Sequence, residues 1–167
     1  MTKREIVSFN LMYLRLDGEM TRKKLASLMS YEYNTVWRNE FAMQSLTFEY
    51  LQDFAYVKGM PMRLLVELLQ NKQHAEEAQG IYLACKHMAL STKACAKQRE
   101  YILNAIYRNG YKTVTAFCRE NDLAAKTPCR LKAHRSDGTV SGLRDVELYK
   151  HVKLLNMQFD EKEGLWK

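Results

Sequence analysis

Residues 21–40 read TRKKLASLMSYEYNTVWRNE, and the spacing of apolar side chains in them decides the fold. Thr21 stands just ahead of the first apolar residue, where a hydroxyl can accept from the unpaired N–H groups that open a helix. Leu25, Ala26, Leu28 and Met29 then form the inward side of one helical run. After a break of a few residues a second short run begins near Tyr33, with Val36 inward and Asn34, Trp37 and Arg38 outward. The pattern is two short helices joined by a tight turn. Working outward, residues 4–16 place Ile6, Phe9, Leu11, Tyr13, Leu14 and Leu16 in a preceding helix ended by Asp17-Gly18. A helix follows from about Ser45 to Lys58, with Phe48, Leu51, Phe54 and Ala55 inward, and Gly59 stops it. Pro61 sits where a fifth helix begins, a position that suits its missing N–H, and Leu64, Leu65, Leu68 and Leu69 follow.

Five short helices in this order, with Leu25-Ala26, Thr35-Val36 and Arg38, Phe54-Ala55 and Gly59 at matching places, resemble the lambda-repressor-like (Cro- and Xre-type) helix-turn-helix family over residues 4–70. The resemblance implies a DNA-binding domain over residues 1–72 whose third helix faces DNA through Tyr33, Asn34, Trp37 and Arg38. Ser30 stands where the family usually has Gly, and Glu32 where it usually has Ser as the cap of the third helix. A carboxylate there repels a phosphate.

The chain has 167 residues, enough for one domain or for two small helical domains of roughly 80 residues each. Seven Gly and two Pro leave few turns, and no stretch alternates apolar and polar residues long enough for a strand-rich fold. The expected class is all-α, with two small helical domains that each carry a helix-turn-helix. No apolar run approaches the roughly 20 residues that span a bilayer. Asn10, Arg15 and Asp17 interrupt the place where a signal peptide would be apolar, which reads as a cytoplasmic protein. Cys85, Cys95, Cys118 and Cys129 form no C-x-x-C pair and have no His at finger spacing, so they read as isolated reduced thiols, with no metal site and no cofactor.

Charge is unevenly placed. Residues 1–83 hold ten basic and ten acidic side chains, whereas residues 84–167 hold sixteen and nine, which is the whole net charge of +7. Within that half, residues 93–135 carry ten basic side chains against Glu100, Glu120 and Asp122. So compact a positive segment suits a polyanion, and nucleic acid is the usual one.

Residues 73–97 read as a polar hinge over about Gln73 to Gly80, then a linker helix whose apolar stripe includes Ile81, Leu83, Ala84, Met88 and Leu90. Residues 98–167 read as a second, basic domain. Tyr101, Ile102, Ala105 and Ile106 mark a helix stopped at Asn109-Gly110. The segment TVTAFCRENDLAAKTPCRLKAH that ends at His134 resembles a second, broader helix-turn-helix, as in repressors, transposase DNA-binding domains and sigma-like proteins. Thr113 caps its second helix, Ala116, Phe117 and Cys118 pack it, Asn121-Asp122 turn, Leu123 plugs the core, and a third helix runs from Ala125 to about Ala133 with Pro128 inside its opening turn. Lys126 and Arg130 then share a face, placing Arg130 against a guanine. Thr113, Ala125 and Thr127 lie along the same DNA surface, with Lys112, Lys132 and Arg135 on phosphates. A Ser-Asp-Gly-Thr turn and a helix from about Leu143 to Asn156 close the domain, and Phe159 to Trp166 docks on a core or on a second subunit.

There is no Gly-rich phosphate loop, no G-x-S-x-G and no H-E-x-x-H, so no enzyme is expected. The leading expectation is a sequence-specific DNA-binding transcriptional regulator, a repressor of phage, plasmid or mobile-element type, acting on double-stranded DNA as a homodimer and away from membranes. Its rival is a protein-interaction module, an antirepressor or inhibitor subunit that binds a protein partner through the first domain. Structured RNA is a third expectation, for which no RNP-like or GXXG pattern is present.

Overall fold

The computed structural model describes residues 1–124, 126–132 and 143–167, with the side chains of Cys129, Arg130 and Lys132 outside the description. The described residues are mostly helical, with turns between the helices and one short two-stranded hairpin, so the expected all-α class holds. They fall into two compact units, Met1–Gln79 and Gly80–Lys167.

The first unit contains α1 (Lys3–Asp17), α2 (Arg22–Met29), α3 (Tyr33–Glu40), α4 (Phe48–Val57) and α5 (Met62–Leu68), followed by the first turns of α6 (Lys72–Leu90). Hydroxyl caps start three of them: Thr2, Thr21 and Thr47 each accept from the backbone N–H three residues on. Pro61 occupies the cap itself, one position earlier than the first helical residue where the sequence placed it. Leu11, Met12, Leu16, Leu25, Val36, Phe54 and Leu65 fill the core. Asn10 extends it with a polar tie, donating through Nδ2 to the carbonyls of Leu69 and Asn71 at 3.0 and 2.9 Å, which fastens α1 to the end of α5.

Some positions read as inward point outward. Leu28 and Phe48 are exposed, because at 100° per residue the true inward sectors are set by Leu25, Ala26 and Met29 on α2 and by Tyr50, Phe54 and Ala55 on α4. Polar residues take inward places instead. Arg15 and Glu40 are each 0% exposed. Arg15 meets the Glu40 carboxylate through Nε and, at 3.1 Å, through Nη2, and donates through Nη1 to the Met20 carbonyl at 2.7 Å. Arg22 reaches the second carboxylate oxygen through Nε at 2.6 Å. One carboxylate thereby joins α1, α2 and α3.

The expected hinge at residues 73–80 is helical. Asn71 caps it, its side chain accepting from His74 N–H at 3.0 Å, and Ala75, Glu76, Glu77 and Ala78 are good helix formers. Nor does the linker helix continue to residue 97. It stops at Leu90, which is exposed, and Ser91 caps α7 (Thr92–Arg108) through Ala94 N–H.

The second unit also holds α8 (Val114–Glu120), α9 (Thr127–Lys132), α10 (Asp145–Leu154), β1 (Phe159–Asp160) and β2 (Leu165–Trp166). The strands pair antiparallel, Phe159 opposite Trp166, and fold back on this unit's own core. Gln98 of α7, fully buried, donates to the Trp166 carbonyl and accepts from its N–H, both at 2.8 Å. Gly80, inside α6, explains itself here: a Cβ would lie 2.9 Å from the Trp166 ring and 3.1 Å from Phe159. Tyr101 and Lys97 bind Glu163 at 2.6 and 3.0 Å, and Lys167 binds Asp160 at 2.6 Å, closing the hairpin's outer side.

Candidate nucleic-acid interface

In the first unit α2, a three-residue turn and α3 make a helix-turn-helix. Ser30 ends α2 in the left-handed region, φ 59° and ψ 33°, and Tyr31 N–H then closes on the Ala26 carbonyl at 2.9 Å. Serine does here what glycine does at lower cost, since a Cβ is disfavoured at positive φ. Glu32 then turns the backbone into α3 with φ −72° and ψ 149°, and its side chain makes no capping hydrogen bond.

The two faces of α3 differ in chemistry. Val36, Asn39 and Glu40 are buried, and Asn39 accepts from Gln44 at 2.8 Å. Tyr33, Asn34 and Arg38 are exposed, with Asn34 and Arg38 one turn apart on the side away from Val36. Trp37, read as outward, is half-buried: its ring meets Phe41 edge-on at 5.5 Å, and the Arg22 guanidinium lies 5.1 Å over Phe41. Trp37 therefore braces α3 more than it faces solvent. An exposed Asn and Arg on one face of a supported helix are the side chains that bond adenine and guanine in pairs of hydrogen bonds.

In the second unit α7, α8 and α9 pack mutually as three helices. Thr113 caps α8 by accepting from Ala116 N–H at 3.0 Å, as its place in the sequence indicates. Val114, Phe117 and Cys118 are buried, and Leu123 N–H bonds the Cys118 carbonyl at 2.8 Å after Asp122 takes positive φ. α8 ends at Glu120 and α9 opens at Thr127, while Ala125, read as the start of the third helix, lies outside the described residues. Pro128 is thus the second residue of α9, where no helical acceptor exists for the N–H it lacks. Lys126 is exposed just ahead of α9 and Thr127 is half-buried, while Lys112 and Thr113 are exposed at the start of α8. Ala125 and Arg135 lie outside the described residues, as do the side chains of Arg130 and Lys132 and the Ser-Asp-Gly-Thr turn.

The α8 support contains an acid-sensitive group. His151 of α10 is 1% exposed, its Nδ1 lies 2.6 Å from the Glu147 carbonyl, and its ring lies 6.0 Å from that of Phe117. Loss of water holds the imidazole below its ordinary pKa, the Glu147 carbonyl opposing. The folded state prefers neutral His151, so its stability is full above about pH 6.5 and falls as pH drops from there towards the folded value, because only the unfolded chain binds the proton. The melting temperature is expected to fall between pH 7.5 and 5.5, and His151→Gln, which cannot charge, to show a smaller drop. An equal drop in both proteins removes this role.

In the second unit an open groove of about 840 Å³ is lined by residues that include Arg108, Asn156, Gln158, Asp160, Glu161 and Lys162. Among the described residues, no three His, Cys, Asp or Glu side chains come together to hold a metal ion, and no helix is long and apolar enough to cross a membrane. No protein-family model, curated protein or solved structure matches the chain.

Proposed function

We propose that the chain is a sequence-specific regulator of transcription that binds double-stranded DNA as a homodimer, of the repressor type carried by phages, plasmids and other mobile elements. The observation that carries this reading is the supported α3 of the first unit, which turns Asn34 and Arg38 to solvent on one face while Val36, Asn39 and Glu40 anchor the other. Charge adds to it. Residues 1–79 are neutral, with ten basic and ten acidic side chains, and residues 80–167 carry all of the +7. Base reading and phosphate attraction are then divided between the units.

Selection of bound sequences from a pool of random duplexes tests this. An enriched motif, with affinity falling steeply as salt rises, is expected; no enrichment and no salt dependence overturn it. The division of labour has its own expected result. Lys112→Ala weakens every duplex alike and lowers the salt slope by about one, whereas Arg38→Ala relaxes preference at one base position. Loss of preference with Lys112→Ala, or its retention with Arg38→Ala, contradicts the assignment.

One observation favours the second reading, a protein-interaction module. The neutral first unit exposes Leu28, Met43, Phe48 and Tyr56, the last 87% exposed, which is apolar surface a protein partner can cover. On that reading duplex binding by the first unit is absent and salt has little effect on its partner.

A further inference from the structure

The two outer edges of the C-terminal hairpin differ. Gln158 and Lys167 exchange two backbone hydrogen bonds at 2.9 Å, so at the next pair, Phe159 opposite Trp166, the N–H and C=O of both residues point away from the partner strand. On the β2 side Gln98 takes the place of a neighbouring strand, accepting from Trp166 N–H and donating to its carbonyl at 2.8 Å. On the β1 side, among the described residues, no hydrogen bond reaches the N–H or C=O of Phe159. An extended backbone that turns one donor and one acceptor outward is a template for a further strand.

Phe159 also lines the open groove of about 840 Å³, to which the end of α7 contributes Arg108 and the end of α10 Asn156. Arg108, Glu161 and Lys162 of this lining are exposed and form no ion pair among the described residues, whereas Asp160 and Lys167 are bound to each other. Two cations thus stand uncommitted against one carboxylate. Phosphate oxygens only accept, so nucleic acid leaves the Phe159 carbonyl unmatched, while one residue of an antiparallel strand satisfies both backbone groups at once. We infer that the groove beside β1 binds an extended acidic peptide of a partner protein by strand addition, Phe159 exchanging two backbone hydrogen bonds with it and Arg108 and Lys162 meeting its carboxylates. The edge is two residues long, which fits one short segment and disfavours the joining of whole sheets. This site is independent of the DNA-binding reading of α3.

The test uses the full chain and a short fluorescent peptide in which glutamate alternates with valine, followed by anisotropy. The same peptide with lysine for glutamate, the same peptide N-methylated throughout, and single-stranded oligothymidylate are measured beside it, with amide hydrogen exchange on the complex. The glutamate peptide is expected to bind, and the lysine and N-methylated peptides to bind about tenfold more weakly or worse. Exchange at Phe159 is expected to slow about tenfold, with the Trp166 amide, already bonded to Gln98, unchanged. Arg108→Ala with Lys162→Ala, both at exposed positions, is expected to unfold at the wild-type temperature and to weaken the glutamate peptide about tenfold. Failure of the glutamate peptide to bind, or binding with exchange at Phe159 unchanged, overturns the inference. So does equal binding of the lysine or N-methylated peptide, or unchanged binding by the double variant. If oligothymidylate displaces the peptide and slows exchange at Phe159 itself, the groove serves nucleic acid and the inference falls.

Discussion

Glu40→Ala is expected to cost the first unit about 3–5 kcal/mol, because removing one partner from a buried ion cluster leaves the remaining charge uncompensated. Arg15 is fully buried and has two of its bonds to this carboxylate, and Arg22 loses its hydrogen bond to the same group. The loss falls on α1, α2 and α3 together, since the carboxylate is where they meet. Denaturant unfolding followed by far-ultraviolet circular dichroism measures it. A companion variant with Arg15→Met and Glu40→Leu together is expected to lose less than Glu40→Ala alone, since apolar groups of similar volume leave no buried charge. A cost below about 1 kcal/mol for Glu40→Ala means that water reaches the cluster, and the carboxylate is then no keystone. Because α3 is held by this contact and by Val36, the duplex binding proposed for it is expected to fall in this variant in step with the folded population, and not beyond it.

The distinction between what the sequence shows and what it hides follows from the kind of interaction. Helices whose cores repeat at regular spacing were legible: Thr21, Leu25 and Val36 place α2 and α3 to within a residue, and Thr113 places the start of α8. Polar groups that meet across the fold were not. Arg15 reads in the chain as an interruption of an apolar run, because nothing local marks it and Glu40, 25 positions apart, as partners. Gln98 is hidden for the same reason, its partner lying 68 positions away. Gly80 in a polar stretch suggests a hinge. Only the rings of Trp166 and Phe159 beside it show that the residue is small because the space is taken. On the site itself, the exposure of Asn34 and Arg38 was legible from their offset to Val36, while the partial burial of Trp37 depends on Phe41, four residues on in the chain and just past the end of α3. Glu32 was legible only as a departure from a pattern. That its carboxylate is not occupied in capping comes from the geometry.

Trp166→Ala is expected to cost the second unit about 3–5 kcal/mol, the range for emptying a buried aromatic site. Its ring is 5% exposed, faces Phe159 at 5.5 Å and lies against Gly80, so truncation opens a cavity that α6 cannot close without moving. Gln98→Ala provides the control. It keeps the ring but leaves the Trp166 N–H and C=O without their buried partner, at about 1–3 kcal/mol for each unsatisfied group. Both variants loosen the grip of the hairpin on α7, which in turn carries α8 and α9. Hydrogen exchange at the amides of Ile102, Ala105 and Ile106 reads this directly, since these residues are the buried face of α7. Faster exchange there in both variants, with α2 and α3 unchanged, is the expected result. If Trp166→Ala leaves exchange on α7 as it was, the hairpin is an appendage of the second unit, and the cost assigned to its burial is not part of what holds the basic helices in place.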